Sequence, residues 1–331
     1  MFHGKKFQDP SQPFYGIIGF TQEDKLLWKG YGLDDKNPPT LETQYRIASV
    51  TKTFIGAAFC KLAEQGFDLN TPIDKLLTSF THPQANKITV QHLLCHRSGL
   101  AGFITDNLSE PFHERPRSLE WLIDQASALT LQFVPGTNST YSPPGYILLG
   151  AILEAYTKQS CAQWLTQNIF SPFELHNTTF YPQGTMDGNR NQYPSLPKTR
   201  LWNDGKIVPL QCMRDFSTSH ASGAIISTAQ DLLTWADALF IRQIVVSNKT
   251  FLTMIRDYGQ GFGYGICIGE SNKHPVYYHF GRTSGISSIL IACPALKASL
   301  CILSHVQDYP KRKLAKEIWL QATCHPLNFV E

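Results

Sequence analysis

Much that would announce a function is missing from this sequence. Its 331 residues contain no apolar run near the ~18 needed to cross a membrane, and stretches such as Ile289 to Cys293 are only strand-length. No sign of charge dominates: 29 Lys and Arg against 26 Asp and Glu leave a net +3, with no basic footprint for nucleic acid. The one dense basic cluster, Lys311-Arg312-Lys313, opens an expected helix and reads as a solvated face. There is no CxxC, no HExxH and no Cys/His cluster at ligand spacing, so no metal site is expected. GxSxG is absent, which removes the α/β-hydrolase elbow. Gly261-Phe-Gly-Tyr-Gly265 lacks GxGxxG spacing and precedes β-like runs, so neither a dinucleotide nor any other cofactor is expected.

What remains is a chain with 42% hydrophobic and 17% charged residues, too apolar for disorder and long enough for about two domains. Its eight cysteines are scattered from Cys60 to Cys324 and sit mostly in apolar stretches, which suits buried free thiols rather than a disulfide framework. With no signal-peptide core before Pro10, that usage favours the cytoplasm; a trimmed N-terminus would instead allow a periplasmic or secreted protein.

Two β-like runs, Phe14 to Phe20 and Lys25 to Tyr31, read as a hairpin. Helical patterns are expected at Thr51 to Gln65, from Pro72, and over Thr89–Cys95, Ser118–Ala128, Tyr146–Tyr156, Thr228–Phe240 and Lys311–Ala322. Tyr181 to Leu210, rich in proline, reads as an irregular excursion. Three β-like runs follow: Val276–Phe280, Ile286–Ala292 and Ser299–Ser304. Strands at both ends predict an α/β unit from residues 1–60 and 205–331, with a mainly helical unit, 61–204, inserted in it and a site at the seam.

The sharpest feature is Ser49-Val-Thr-Lys52. On the first turn of a helix, positions i and i+3 share a face, so the lysine amine can take the proton of the serine hydroxyl. By itself this spacing also fits a plain helix N-cap. It recurs at Ser195-Leu-Pro-Lys198, where the proline sits in an irregular stretch and helical register is lost.

Further segments decide the context. Tyr45-Arg-Ile-Ala-Ser49-Val-Thr-Lys52 resembles the nucleophile segment of the serine β-lactamase and penicillin-binding family, in its class C and esterase-like branch. His92-Leu-Leu-Cys-His96-Arg-Ser-Gly-Leu100, Tyr141-Ser142-Pro143 and Ala221-Ser-Gly-Ala224 resemble its following segments, and His279-Phe280-Gly281 stands where the family has Lys-Thr-Gly or His-x-Gly. The resemblance runs in order from about residue 14 to 320. It implies an α/β (α+β), β-lactamase/transpeptidase-like fold: an antiparallel sheet flanked by helices, with an inserted all-helical subdomain. It also implies a helix before the first strand. Only about a dozen residues precede Phe14, so a slightly shortened chain is expected.

The roles implied by the resemblance are these. Ser49 would be the acylated nucleophile, Lys52 its base, and Tyr141 a second acid/base whose phenol, near two cations, ionises more easily. The N–H groups of Ser49 and Arg282 would form an oxyanion hole. Gly281 would let substrate approach the strand edge, and His279 would line the cleft and tune protons near neutral pH. Pro143 replaces the family's amide-binding asparagine, and Phe280 a hydroxyl residue, which weakens recognition of peptide and carboxylate groups. The Arg282 side chain either restores a positive charge or points to solvent. Phe103, Trp121, Tyr181 and Trp202 are candidates for an acyl pocket or plain packing, and His96 and His220 read as loop-stabilising. The expected partner is therefore a small acyl substrate, most simply an ester. A β-lactamase or D-alanyl peptidase and a catalytically silent binding protein stand as rivals, and oligomeric state is left open.

Overall fold

The computed structural model describes residues 10, 13–32, 37–100, 102, 116–181, 200–203, 206–209 and 216–330. In chain order the elements are β1 (Gly16–Gln22), β2 (Lys25–Tyr31), β3 (Tyr45–Arg46), α1 (Thr51–Glu64), α2 (Val90–Leu94), α3 (Leu119–Ser127), α4 (Pro143–Thr157) and α5 (Cys161–Leu165). Then come β4 (Thr179–Phe180), β5 (Arg200–Asn203), β6 (Lys206–Pro209), β7 (Ile225–Ser227), α6 (Ala229–Ala236), α7 (Asn248–Met254) and β8 (Cys267–Ser271). Last are β9 (His274–Thr283), β10 (Ile286–Cys293), β11 (Ala298–Ser304), β12 (Val306–Gln307), α8 (Lys311–Thr323) and β13 (Leu327–Asn328).

Seven strands form an antiparallel sheet in the order β13-β8-β9-β10-β11-β1-β2. β10 and β11 are buried along their whole length, which requires apolar cover on both faces. The period of two sorts their side chains: Leu290, Ala292, Cys301 and Leu303 join the larger core with α1, α4 and α6, while Ile289, Ile291, Leu300 and Ile302 face α8. This is the mixed architecture, a large antiparallel sheet with helices, that the resemblance implies.

The β1–β2 hairpin forms as its two apolar runs predict. Two expectations shift. Of the excursion from Tyr181 to Leu210, residues 182–199, 204–205 and 210 lie outside the described residues, and its described end forms a hairpin, β5–β6, with Pro209 closing the edge strand β6. The short helix expected after Pro72 is a single tight turn, Ile73–Lys75. The seven cysteines among the described residues are free, five of them buried, and Cys212 lies outside those residues.

Candidate active site

Ser49 lies in a tight turn, Ala48–Val50, that leads directly into α1. The turn is held from two sides. Ile47 N–H donates to Ile225 O of β7 at 3.0 Å, and Ser288 Oγ of β10 donates to Ile47 O at 2.7 Å. Ala48 has a left-handed φ of 46°, uncommon for a residue with a Cβ and sustained here by those clamps. One helical turn on, Lys52 Nζ reaches Ser49 Oγ at 3.0 Å.

Lys52 is fully buried and also donates to Ser222 O at 2.6 Å. Its neighbours here are a hydroxyl and a carbonyl, and its amine faces the rings of Tyr141 and Tyr146 at 5.0 and 5.2 Å. Desolvation therefore dominates and holds its pKa well below the ordinary 10.5, which favours the neutral amine. A neutral amine beside a serine hydroxyl can accept its proton.

Tyr141 hydrogen-bonds Ser49, so two groups converge on the serine oxygen. The easily ionised phenol expected of Tyr141 is not found. Burial raises its pKa above the usual 10, outweighing the hydrogen bond from Ser49, and Lys52 in neutral form supplies no cationic field. Tyr141 is positioned by His96: Ser142 N–H donates to His96 Nδ1 at 3.1 Å, and the two rings lie 4.7 Å apart. Ser142 then caps α4, accepting from Gly145 N–H, with Pro143 buried at the first helical position, where a missing N–H costs nothing.

The third expected segment is β9. β8 pairs with it only as far as Tyr278, so among the described residues His279–Thr283 pair with β10 alone and the other edge opens on a cleft. That cleft, about 820 Å³, is lined among others by Ser49, Tyr141, His279, Phe280, Gly281 and Arg282; Pro143 is not in its described lining. His279 does not titrate near neutral pH as expected: burial presses its pKa from 6.5 down to about 3. Its Nδ1–H donates to Phe280 O at 2.7 Å, which leaves Nε2 a buried lone-pair acceptor. Gly281 has a different reason from the one expected. A Cβ there would overlap Ile47 O and Ser288 Oγ, so the glycine lets β9 close on the serine turn. The Arg282 guanidinium pairs with Asp308, which neutralises it. The Phe280 ring packs on Phe329 at 4.9 Å under the Arg312 guanidinium at 4.5 Å.

The remaining candidates lie elsewhere. Tyr181 is buried in the core with its N–H on Ala224 O, Trp202 packs against Tyr309, and Trp121 stacks under Arg117. None of the three is in the described lining of the cleft. Phe103 and the second SxxK, Ser195–Lys198, fall outside the described residues. Sequence reasoning missed Ser222, whose carbonyl orients Lys52, and Tyr146, whose hydroxyl donates to Leu94 O at 2.7 Å beneath that amine. The Ala221–Ala224 segment signalled the first; nothing in spacing signalled the second.

Comparison with known proteins agrees with the fold. Protein flp of Staphylococcus aureus (strain MW2) is 26% identical over 322 residues, covering 91% of this chain and 61% of that protein. The chain thus spans about 61% of the length of that curated relative. D-amino acid amidase from Ochrobactrum anthropi SV3, complexed with L-phenylalanine amide, superposes with a TM-score of 0.79 at 22% identity, covering 93% of each chain. The octameric penicillin-binding protein homologue from Pyrococcus abyssi gives a TM-score of 0.79 at 24% identity, over 93% of this chain and 73% of that one. The family profile described as Beta-lactamase matches residues 16–323, and the chain belongs to that family.

Proposed function

We propose that this protein is a serine hydrolase that works through an acyl-enzyme on a small ester or amide, esterase-like in preference. The observation that carries this reading is the pair of hydrogen bonds that Ser49 makes, with a buried lysine held neutral and with Tyr141.

Ser49 Oγ attacks the substrate carbonyl as its proton passes to Lys52 Nζ. The developing oxyanion is held by the N–H groups of Ser49 and Arg282, each worth about 10²–10³ in rate where such donors have been removed. Tyr141, protonated, relays a proton toward the leaving group. Water then enters along the open edge of β9 and attacks the acyl ester, with Lys52 again accepting the proton.

Three features favour an ester or simple amide over a β-lactam or an acidic peptide. His279 is neutral, Arg282 is paired, and Pro143 is turned into a helix start, so the usual carboxylate and amide contacts are missing. A panel of p-nitrophenyl acyl esters, a D-amino acid amide and a chromogenic cephalosporin tests the substrate class. Ester turnover should lead, and a faster cephalosporin would reverse the preference. A fluorophosphonate should label wild type and not Ser49→Ala. No adduct, together with activity unchanged in Ser49→Ala, would leave the binding-protein reading.

A further inference from the structure

A second cluster of reactive side chains lies outside the cleft. Glu154 near the end of α4, Cys161 at the start of α5 and His220 in the tight turn His220–Ser222 present one ligand atom each, all within 4.8 Å of one another. A search for ligand spacing along the chain misses it, because its members are separated by seven and 59 residues on three elements.

His220 is the observation that points to a ligand. It is 2% exposed, and neither ring nitrogen has a hydrogen-bond partner among the described residues. Its Nε2 faces Glu154 Oε1 at 3.5 Å, an ion-pair distance rather than a hydrogen bond. The ring is held there at some cost. His220 has a φ of 37°, and it lies so close to α4 that a Cβ at Gly150 would overlap it. Cys161 completes the set, its N–H donating to Glu154 Oε1 at 2.8 Å and its Sγ lying 3.6 Å from Gly150 O.

We propose that Glu154, Cys161 and His220 form a binding site for a borderline-soft divalent cation of the zinc class. Carboxylate oxygen, imidazole nitrogen and thiolate sulfur are together a donor set for such an ion. Tetrahedral bond lengths put a nitrogen and an oxygen ligand about 3.4 Å apart. The 3.5 Å between His220 and Glu154 is already close to this, so only the Cys161 sulfur must swing inward. Without a cation the Cys161 thiol donates to Gly150 O, so it carries its proton. Binding releases that proton to solvent and leaves a neutral three-ligand centre, since carboxylate and thiolate balance the two positive charges. The partly exposed Glu154 gives the route inward. His220 and Ser222 share one turn, so a bound ion would brace the carbonyl that orients Lys52.

The test is optical. Chelator-stripped, reduced full-length protein is titrated with Co²⁺. One equivalent should give a thiolate-to-cobalt charge-transfer band in the near ultraviolet, and Zn²⁺ should displace it. Cys161→Ser should lose the band, the exposed Cys324→Ser should keep it, and His220→Gln should weaken Zn²⁺ binding at least about tenfold. Zn²⁺ should raise the thermal midpoint of wild type and not of Cys161→Ser, a comparison that also reports whether the variant folds. Absence of one-to-one binding in wild type, or a full band in folded Cys161→Ser, overturns the proposal.

Discussion

Burying a lysine amine against a hydroxyl and a carbonyl carries a standing free-energy cost that an apolar side chain would not. Lys52→Met should therefore lose turnover by about 10²–10⁴-fold while gaining stability at neutral pH. Between the native and unfolded pKa values of Lys52 the unfolded chain holds a proton that the folded protein lacks, so wild type becomes more stable as pH rises. The advantage of Lys52→Met should then shrink as pH approaches 10.5, which urea midpoints across pH would read. A difference that stays constant with pH would mean the amine is charged in the fold. The pairing of Ser49 with Lys52 was legible because i and i+3 spacing is a property of any helix. The protonation of Tyr141 and His279 was not, because it depends on burial, and burial comes from residues far away in the chain.

Among the elements, β9 bears most on the site. It is longer than its apolar run, since His274, Pro275 and Gly281–Thr283 extend it through pairing with β8 and β10 rather than through propensity. Gly281→Ala should force β9 off the serine turn and destabilise the protein by about 1–3 kcal/mol, with a fall in ester turnover. Urea denaturation and a p-nitrophenyl ester assay check both; an unchanged midpoint would show that the approach relaxes freely. β8 escaped sequence reading for a related reason. Cys267-Ile-Gly-Glu-Ser has no alternation, and its place in the sheet is decided by Tyr277 and Tyr278 across the ladder. The hairpin β5–β6 was hidden by the prolines around it.

At the scale of the molecule, three buried histidines set the response to acid. His96, His279 and His305 are 2–4% exposed, and all have depressed pKa values, His279 to about 3 and His305 to about 4, chiefly through desolvation. Below pH 6.5 the unfolded chain takes up protons that the fold refuses, so stability falls as pH falls, by about 1.4 kcal/mol per pH unit for each such histidine. Urea midpoints from pH 7.5 downward should show this slope, and a flat profile to pH 5 would contradict it. The large sheet was legible from apolar runs at both ends of the chain. The meeting of Glu154, Cys161 and His220 was not, since only the packing of α4, α5 and the 220–222 turn creates it.

The order of strands in that sheet also bears on synthesis. β1 lies between β2 and β11, and Ile18 pairs with Ile302, 284 residues later. At about 5–20 residues per second, a ribosome needs roughly 14–57 s to deliver that partner. During that interval the hairpin has one unsatisfied edge and an apolar face, while α1 to α5, already emerged, can collapse on one another. The nascent chain is thus most open to chaperones, and to its own neighbours on a polysome, at β1, and it becomes safe there only once β11 has emerged.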